Sequence, residues 1–245
     1  MLSPWVLFVL ILICLLPVVI VYIWFRLAKY QISLVQFLFA ILAGAAAVFP
    51  ALVLQELCKF SSLPPGRGML FYDFFIRIAL TEELSRFIIL FIFIFIGFSI
   101  KPPANGNKPS DFNAIKWGTA IGLIAGLGFA ILETTVLVAN NMKNNMSLNI
   151  YFTLFRILSA ALHAACSSRV GSAIVLLRKN PSQAITRFLA AVAIHGVFNL
   201  MVNIPGLPAI AAILITLSAL ITTILSIRGG WESVSISLDK SDENQ

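Results

Sequence analysis

Charge is scarce in this chain. Only 11% of its 245 residues are Asp, Glu, Lys or Arg, against about 25% in an ordinary soluble domain. Cysteine is scarce too. Cys14, Cys58 and Cys166 are odd in number, far apart and form no CxxC pair, so neither a disulfide framework nor a thiolate zinc site is indicated. The balance of 17 basic over 10 acidic residues gives +7, yet the basic residues form no run. That argues against a nucleic-acid patch and directs the excess toward membrane orientation and lipid contact. What fills the space is apolar: 60% of residues are hydrophobic and the mean hydropathy is +0.98. A soluble domain of this length cannot hide so much apolar surface, so the expectation is an all-α, polytopic transmembrane helical bundle.

The apolar runs predict about seven spans. The first, Trp5 to Phe25, lacks a basic region before it and a small-x-small cleavage site after it, so it reads as a retained span rather than a signal peptide. Others fall at about 32–55, 70–98, 116–139, 150–177, 184–203 and 207–227; the third and fifth exceed the ~20 residues a span needs, implying tilt or an interfacial turn. Polar, Pro- and Gly-bearing stretches at 61–66, 101–106, 140–149, 180–181 and 205–208 separate them. Residues 1–228 are thus expected to form one membrane domain, with a functional core at about 70–203, and 229–245 a short polar tail. Counting Lys and Arg puts ten on one side against Lys59, Arg67 and Lys143 on the other. The bias predicts the N-terminus outside and the C-terminus in the cytoplasm. With no organelle-targeting segment, a bacterial cytoplasmic membrane is the simplest home.

Ionisable residues inside the runs are the anomaly: Glu82, Glu83, Arg86, Glu133, Arg156, His163, Arg169 and His195. A charged residue near mid-membrane costs at least ~2.5–3.5 kcal/mol on insertion scales, so each needs a partner or a task. On a helix, Glu82 and Arg86 (i,i+4) and Glu83 and Arg86 (i,i+3) bring two carboxylates to one guanidinium. Asp73 and Arg77, one turn earlier, read as an outer structural pair, and Arg156 and Arg169 as partners of carbonyls or interface charges. Gly118, Gly122 and Gly126 form a small-xxx-small ladder for close helix contact, with Glu133 within ~60° of the same stripe. Ser159, His163 and Ser167 share a face of span five, beside Cys166, and His195 and Asn199 share a face of span six. At 1.5 Å per residue Glu82, Glu133, His195 and His163 lie ~8, ~9, ~12 and ~16 Å below the outer surface, so residues from four helices converge on one layer.

Two adjacent carboxylates in a low dielectric cannot both ionise cheaply. With Arg86 holding one as the anion, the other suits a general base that takes a proton from water. Histidine can share that water or donate to an oxyanion, and an Asn amide can do the latter. These are the parts of amide hydrolysis without a covalent nucleophile. The same His and carboxylate groups are ordinary zinc ligands, although no HExxH is present. Intramembrane Glu and His also make proton relays, so a proton-coupled transporter is an alternative, as is a non-enzymatic protein that binds membrane partners. Neither paired discontinuous helices nor an inverted repeat favours transport.

Glu82-Glu83-Leu84-Ser85-Arg86 resembles the EExxK/R motif of the PrsW-type intramembrane proteases, relatives of the CAAX prenyl protease and Abi group. Phe129 to Glu133 is similar to their FxxxE/H motif, His163 with Ala164-Ala165 and Gly171 to the third, and His195 to Asn199 to the closing HxxxN/D motif. The four occur in the expected order over about residues 70–200. The resemblance implies an intramembrane endopeptidase in which Glu82 activates water with His163, Glu83 supports it, held by Arg86, and His195 with Asn199 stabilises the oxyanion, with Phe129 and Glu133 in support. The second motif ends in Glu133 where the CAAX proteases have His, which favours the PrsW branch over prenylated substrates. Both a glutamate-type enzyme without a cofactor and one using a divalent metal such as zinc stay open; Glu82, Glu133, His163 and His195 are the candidate ligands in the latter. The implied substrates are membrane-anchored proteins cut near the outer boundary, such as a single-span anti-sigma factor.

Overall fold

A computed structural model describes residues 4–28, 30, 32–59, 66–94, 111–143, 150–203 and 209–228. The separating stretches at 61–65, 101–106, 144–149 and 205–208, and the tail 229–245, lie outside them. Among the described residues there is helix and no strand. The helices are α1 (Pro4–Leu27), α2 (Leu34–Ala46), α3 (Val48–Leu57), α4 (Arg67–Phe71), a π-helical segment (Tyr72–Leu80), α5 (Thr81–Ile92), α6 (Asp111–Lys143), α7 (Ile150–Leu176), α8 (Pro181–Asn203) and α9 (Ala209–Arg228).

Among the described residues four helical stretches are long and apolar enough to cross a membrane: Leu34–Leu57, Ala114–Asn140, Pro181–Asn203 and Ile210–Arg228. The first joins α2 to α3. Ser33 caps α2 reciprocally with Gln36, satisfying N–H groups that have no intrahelical partner. The break at Ala47 sits where Pro50 has no N–H to offer the carbonyl of Ala46 and its ring crowds that carbonyl. Helix α7 spans 27 residues but carries Arg156, His163 and Arg169 within its length.

The solvent logic is inverted relative to a soluble protein. Leu16, Ile20, Leu38, Leu42, Phe49, Ile185, Leu189 and Leu214 point outward, whereas Glu82, Glu83, Arg86, Arg156, His163 and His195 are buried. Lipid supplies no hydrogen bonds, so polar side chains gain by facing one another.

Helix α6 is the axis of the bundle, packed between α7 and α2. The glycine ladder explains the first contact. A Cβ on Gly122 would stand 2.0 Å from the Ser167 carbonyl oxygen, and one on Gly126 2.3 Å from that of His163. Only hydrogen fits there, and the antiparallel pairing lets the two backbones touch. On the other face, Gly44 of α2 rests against the Ala125 carbonyl, where a Cβ would be 1.8 Å away.

The third apolar run, expected to tilt or to include an interfacial turn, contains a change of helix type. Its Tyr72–Leu80 stretch is π-helical, and at its end the Thr81 hydroxyl donates to the carbonyls of Arg77 and Ile78 (2.6 and 3.0 Å). A side-chain hydroxyl on those carbonyls competes with the regular helical ladder, and wide turns of this kind recur beside functional sites. The outer pair stays within one element, with Arg77 Nε 2.7 Å from Asp73 Oδ1.

Candidate metal and catalytic centre

Helix α5 begins immediately after the π-helical segment, and its first two turns carry Glu82, Glu83, Ser85 and Arg86, all buried. Arg86 has no exposed surface, and neither does Glu83. Arg86 Nη2 lies 2.7 Å from Glu83 Oε1 and 3.5 Å from Glu82 Oε2, while its Nη1 donates to Ser167 Oγ at 2.8 Å. The Phe129 ring closes one side of the guanidinium, whose Cζ is 4.4 Å from the ring centroid. A cation over an aromatic face is worth about 2 kcal/mol when desolvated. One guanidinium thus binds α5 to α6 and α7.

The two imidazoles come from α7 and α8 and meet edge to face, with ring centroids 5.0 Å apart. Each is held from behind by a carboxylate. Glu83 Oε1 lies 2.8 Å from His195 Nδ1, and Glu133 Oε2 lies 3.1 Å from His163 Nε2. A carboxylate only accepts, so the bonded nitrogen of each ring carries the proton and the opposite nitrogen of a neutral ring keeps its lone pair. Those opposite nitrogens face Glu82: Oε2 is 3.7 Å from His195 Nε2 and 4.0 Å from His163 Nδ1. The other oxygen of Glu82 is anchored by Gln55 of α3, whose Nε2 donates at 2.9 Å.

The centre is short of partners where it matters. Glu82 Oε2 and His163 Nδ1, like Glu83 Oε2, are fully buried and make no hydrogen bond among the described residues, a state that costs about 1–3 kcal/mol per group. Glu82, His163 and His195 offer ligand atoms mutually within 4.8 Å. Two nitrogen ligands about 2.1 Å from a tetrahedral zinc stand roughly 3.4 Å apart, so small rotations would fit this trio to such an ion. Two imidazole lone pairs and one carboxylate, with the far nitrogen of each ring bound to a further carboxylate, form a donor set suited to a divalent metal.

The residues singled out from the sequence are brought together unequally. Glu82, Glu83, Arg86, His163 and His195 form one connected cluster with Phe129 against it. Glu133 reaches it through the far side of His163 and stands apart from the trio; its other partner is Arg156, by a short ion pair, and Arg156 Nε also donates to Thr134. Arg156 therefore meets a carboxylate, where a carbonyl or interface partner was expected. Arg169 meets the Ala165 carbonyl and the Thr222 hydroxyl. Asn199 is half-buried in α8; its backbone carbonyl accepts from the Asn203 side chain, and its own side-chain amide takes part in no hydrogen bond among the described residues. Ser167, placed by its spacing on the face of His163, meets Arg86 there, and Gln55, which the sequence does not single out, joins the site through Glu82. Gln55 closes an apolar run, where an amide is out of place, but that signal is too common to single it out.

The family described as "PrsW family intramembrane metalloprotease" matches residues 33–225. No curated protein and no solved structure matches the chain.

Proposed function

The chain belongs to the PrsW family of intramembrane proteases, and from that premise we propose that it is a metal-dependent endopeptidase whose centre is Glu82, His163 and His195. The observation that carries this reading is the pair of buried atoms without a hydrogen bond, Glu82 Oε2 and His163 Nδ1, facing each other and His195 Nε2. A divalent metal held there would supply Lewis acidity for peptide hydrolysis.

The protein's own residues account for the rest. Glu83 and Glu133 fix the tautomer and the tilt of the two rings, as carboxylates behind metal-binding imidazoles do. Gln55 pins one oxygen of Glu82 and leaves the other directed at the rings. Arg86 supplies the countercharge to Glu83 and, under Phe129, is kept from water. Asn199, one helical turn after His195 and with its amide uncommitted, is the donor available to a developing oxyanion. In a cofactor-free version of the same reaction Glu82 Oε2 would itself accept the proton of water. The substrate class is a membrane-anchored protein, extending to single-span regulators such as an anti-sigma factor. The expected setting is a seven-span domain over residues 1–228, N-terminus outside, in a bacterial cytoplasmic membrane.

The test compares membrane-protein fragments and new N-termini in cells carrying wild type or Glu82→Gln at equal abundance. Fragments that vanish in the variant are expected and would name the substrate; identical fragment maps would overturn the reading. Elemental analysis of the two purified proteins separates the mechanisms. About one divalent metal per wild-type chain and far less in the variant is expected. A metal-free wild type that still cleaves would leave Glu82 as a base alone.

A further inference from the structure

A second polar site lies apart from the Glu–His centre, among α6, α7, α8 and α9. A cavity of about 300 Å³ is lined by Arg169, Arg187, Ser168, Thr222, Thr223 and Ser226, together with further hydroxyls and one alanine. Among the described residues that line it there is no carboxylate. Arg169 Nη1 donates to the Ala165 carbonyl at 2.7 Å and Nη2 to Thr222 Oγ1 at 2.6 Å, while no described residue accepts from its Nε. Its hydrogen bonds are therefore to neutral groups, and no carboxylate pairs with its charge among the described residues. Such a charge is expensive unless an anion meets it.

The depth of this cavity is informative. Arg169 is seven residues from the end of α7, Arg187 six from the start of α8 and Thr222 six from the end of α9. At 1.5 Å per residue each lies about 10 Å from one end of the bundle. That end also carries Arg178, Lys179 and Arg228. Beside the cavity, and sharing Arg169 and Thr222 with it, runs a groove of about 400 Å³ walled by Ile194 of α8 and Leu214, Ile215 and Ala219 of α9. A cationic, hydroxyl-lined chamber at headgroup depth thus continues into an apolar channel.

We infer that this is a binding site for an anionic glycerophospholipid, with the headgroup phosphate on Arg169, Arg187 and the Thr222–Thr223 hydroxyls and an acyl chain along the α8–α9 groove. Guanidinium groups match phosphate oxygens in charge and geometry, and basic pockets between spans hold anionic headgroups in this way. The groove decides between a lipid and a free anion, because inorganic phosphate has no use for Ile194 and Leu214. The site also adjoins the first one: Ser168 Oγ lies 2.9 Å from Thr223 Oγ1, while its neighbour Ser167 accepts from Arg86.

Native mass spectrometry of the full-length protein released from detergent tests this with phosphatidylglycerol and phosphatidylcholine of identical acyl chains. Wild type is expected to retain phosphatidylglycerol at least about fivefold better than phosphatidylcholine, at roughly 1 kcal/mol per arginine near a headgroup. Arg187→Gln and Leu214→Trp, which blocks the groove, should each remove most of that preference. Arg169→Gln should do the same if it folds; the other two variants carry the test if it does not. Equal retention of the two lipids, or a preference unchanged in Arg187→Gln and Leu214→Trp, would overturn the inference. So would full displacement of phosphatidylglycerol by millimolar inorganic phosphate, which would mark a free-anion site.

Discussion

Replacing Gly122 by alanine is expected to destabilise the bundle by about 1–3 kcal/mol, the usual range for forcing a methyl group into a packed contact, and replacing it by leucine to leave no folded protein. The methyl group would begin 2.0 Å from the Ser167 carbonyl oxygen and 3.0 Å from Ser168 Cα. Both atoms are backbone, so no rotamer change relieves the overlap and α6 must move bodily away from α7. The same seam positions Ser167 and His163, so activity should fall with stability. Gly68→Ala is the control, since a Cβ there meets nothing within 4 Å and alanine favours helix by about 1 kcal/mol. Thermal unfolding of the two variants in one detergent should shift in opposite directions. A Gly122→Ala protein as stable as wild type would refute the account of the seam.

The Glu83–Arg86 pair should behave as a unit. Each residue has no exposed surface, and they meet at 2.7 Å. Removing either alone leaves a buried charge without its partner, a loss of about 3–5 kcal/mol. Arg86→Met and Glu83→Gln are therefore each expected to unfold far more readily than wild type. The double variant should recover at least about 1 kcal/mol of the summed loss, the coupling expected of directly bonded groups. Recovery should be partial, because the double variant still deprives Ser167 of its donor and His195 Nδ1 of a carboxylate. Activity should stay lost in all three proteins, since each lacks the carboxylate behind His195 or the guanidinium that holds that carboxylate. Chemical denaturation measured on the four proteins supplies the cycle. Strict additivity of the single losses would show that the contact contributes nothing as a pair.

Much of this centre can be read from spacing. Glu82, Glu83 and Arg86 lie within one helical turn or so, where sequence distance and spatial distance coincide. The glycine ladder is equally direct, since glycine every fourth residue means close approach. The depth estimate brought Glu133, His163 and His195 to Glu82 because transmembrane helices are stiff rulers. Partnership across helices is harder. Nothing in the local sequence of Arg156 says that it faces Glu133, because two helices can pair at many rotations. Gln55 is invisible for the same reason, being 27 residues from the carboxylate it binds. The π-helical stretch is hidden for a different one. At about 4.4 residues per turn each residue rotates roughly 18° less than in an α-helix. Over nine residues that turns Asp73 and α5 to different faces from those a single helical wheel assigns.

Arg86 has a consequence for how the protein is made. Of its partners, only Glu82 and Glu83 lie on its own helix; Phe129, His163, Ser167 and His195 come from segments synthesised later. At about 5–20 residues per second, α8 follows α5 by several seconds or more. During that interval a helix bearing two acids and a guanidinium within 12 residues must enter or wait beside the membrane. The contacts of Arg86 with Glu83 and Glu82, three and four residues away, are the neutralisation available from the start, and the first is the shorter. It lowers the charge that α5 presents to lipid until α6, α7 and α8 arrive, so the pair that orients His195 in the finished enzyme first serves as the escort of its own helix into the bilayer.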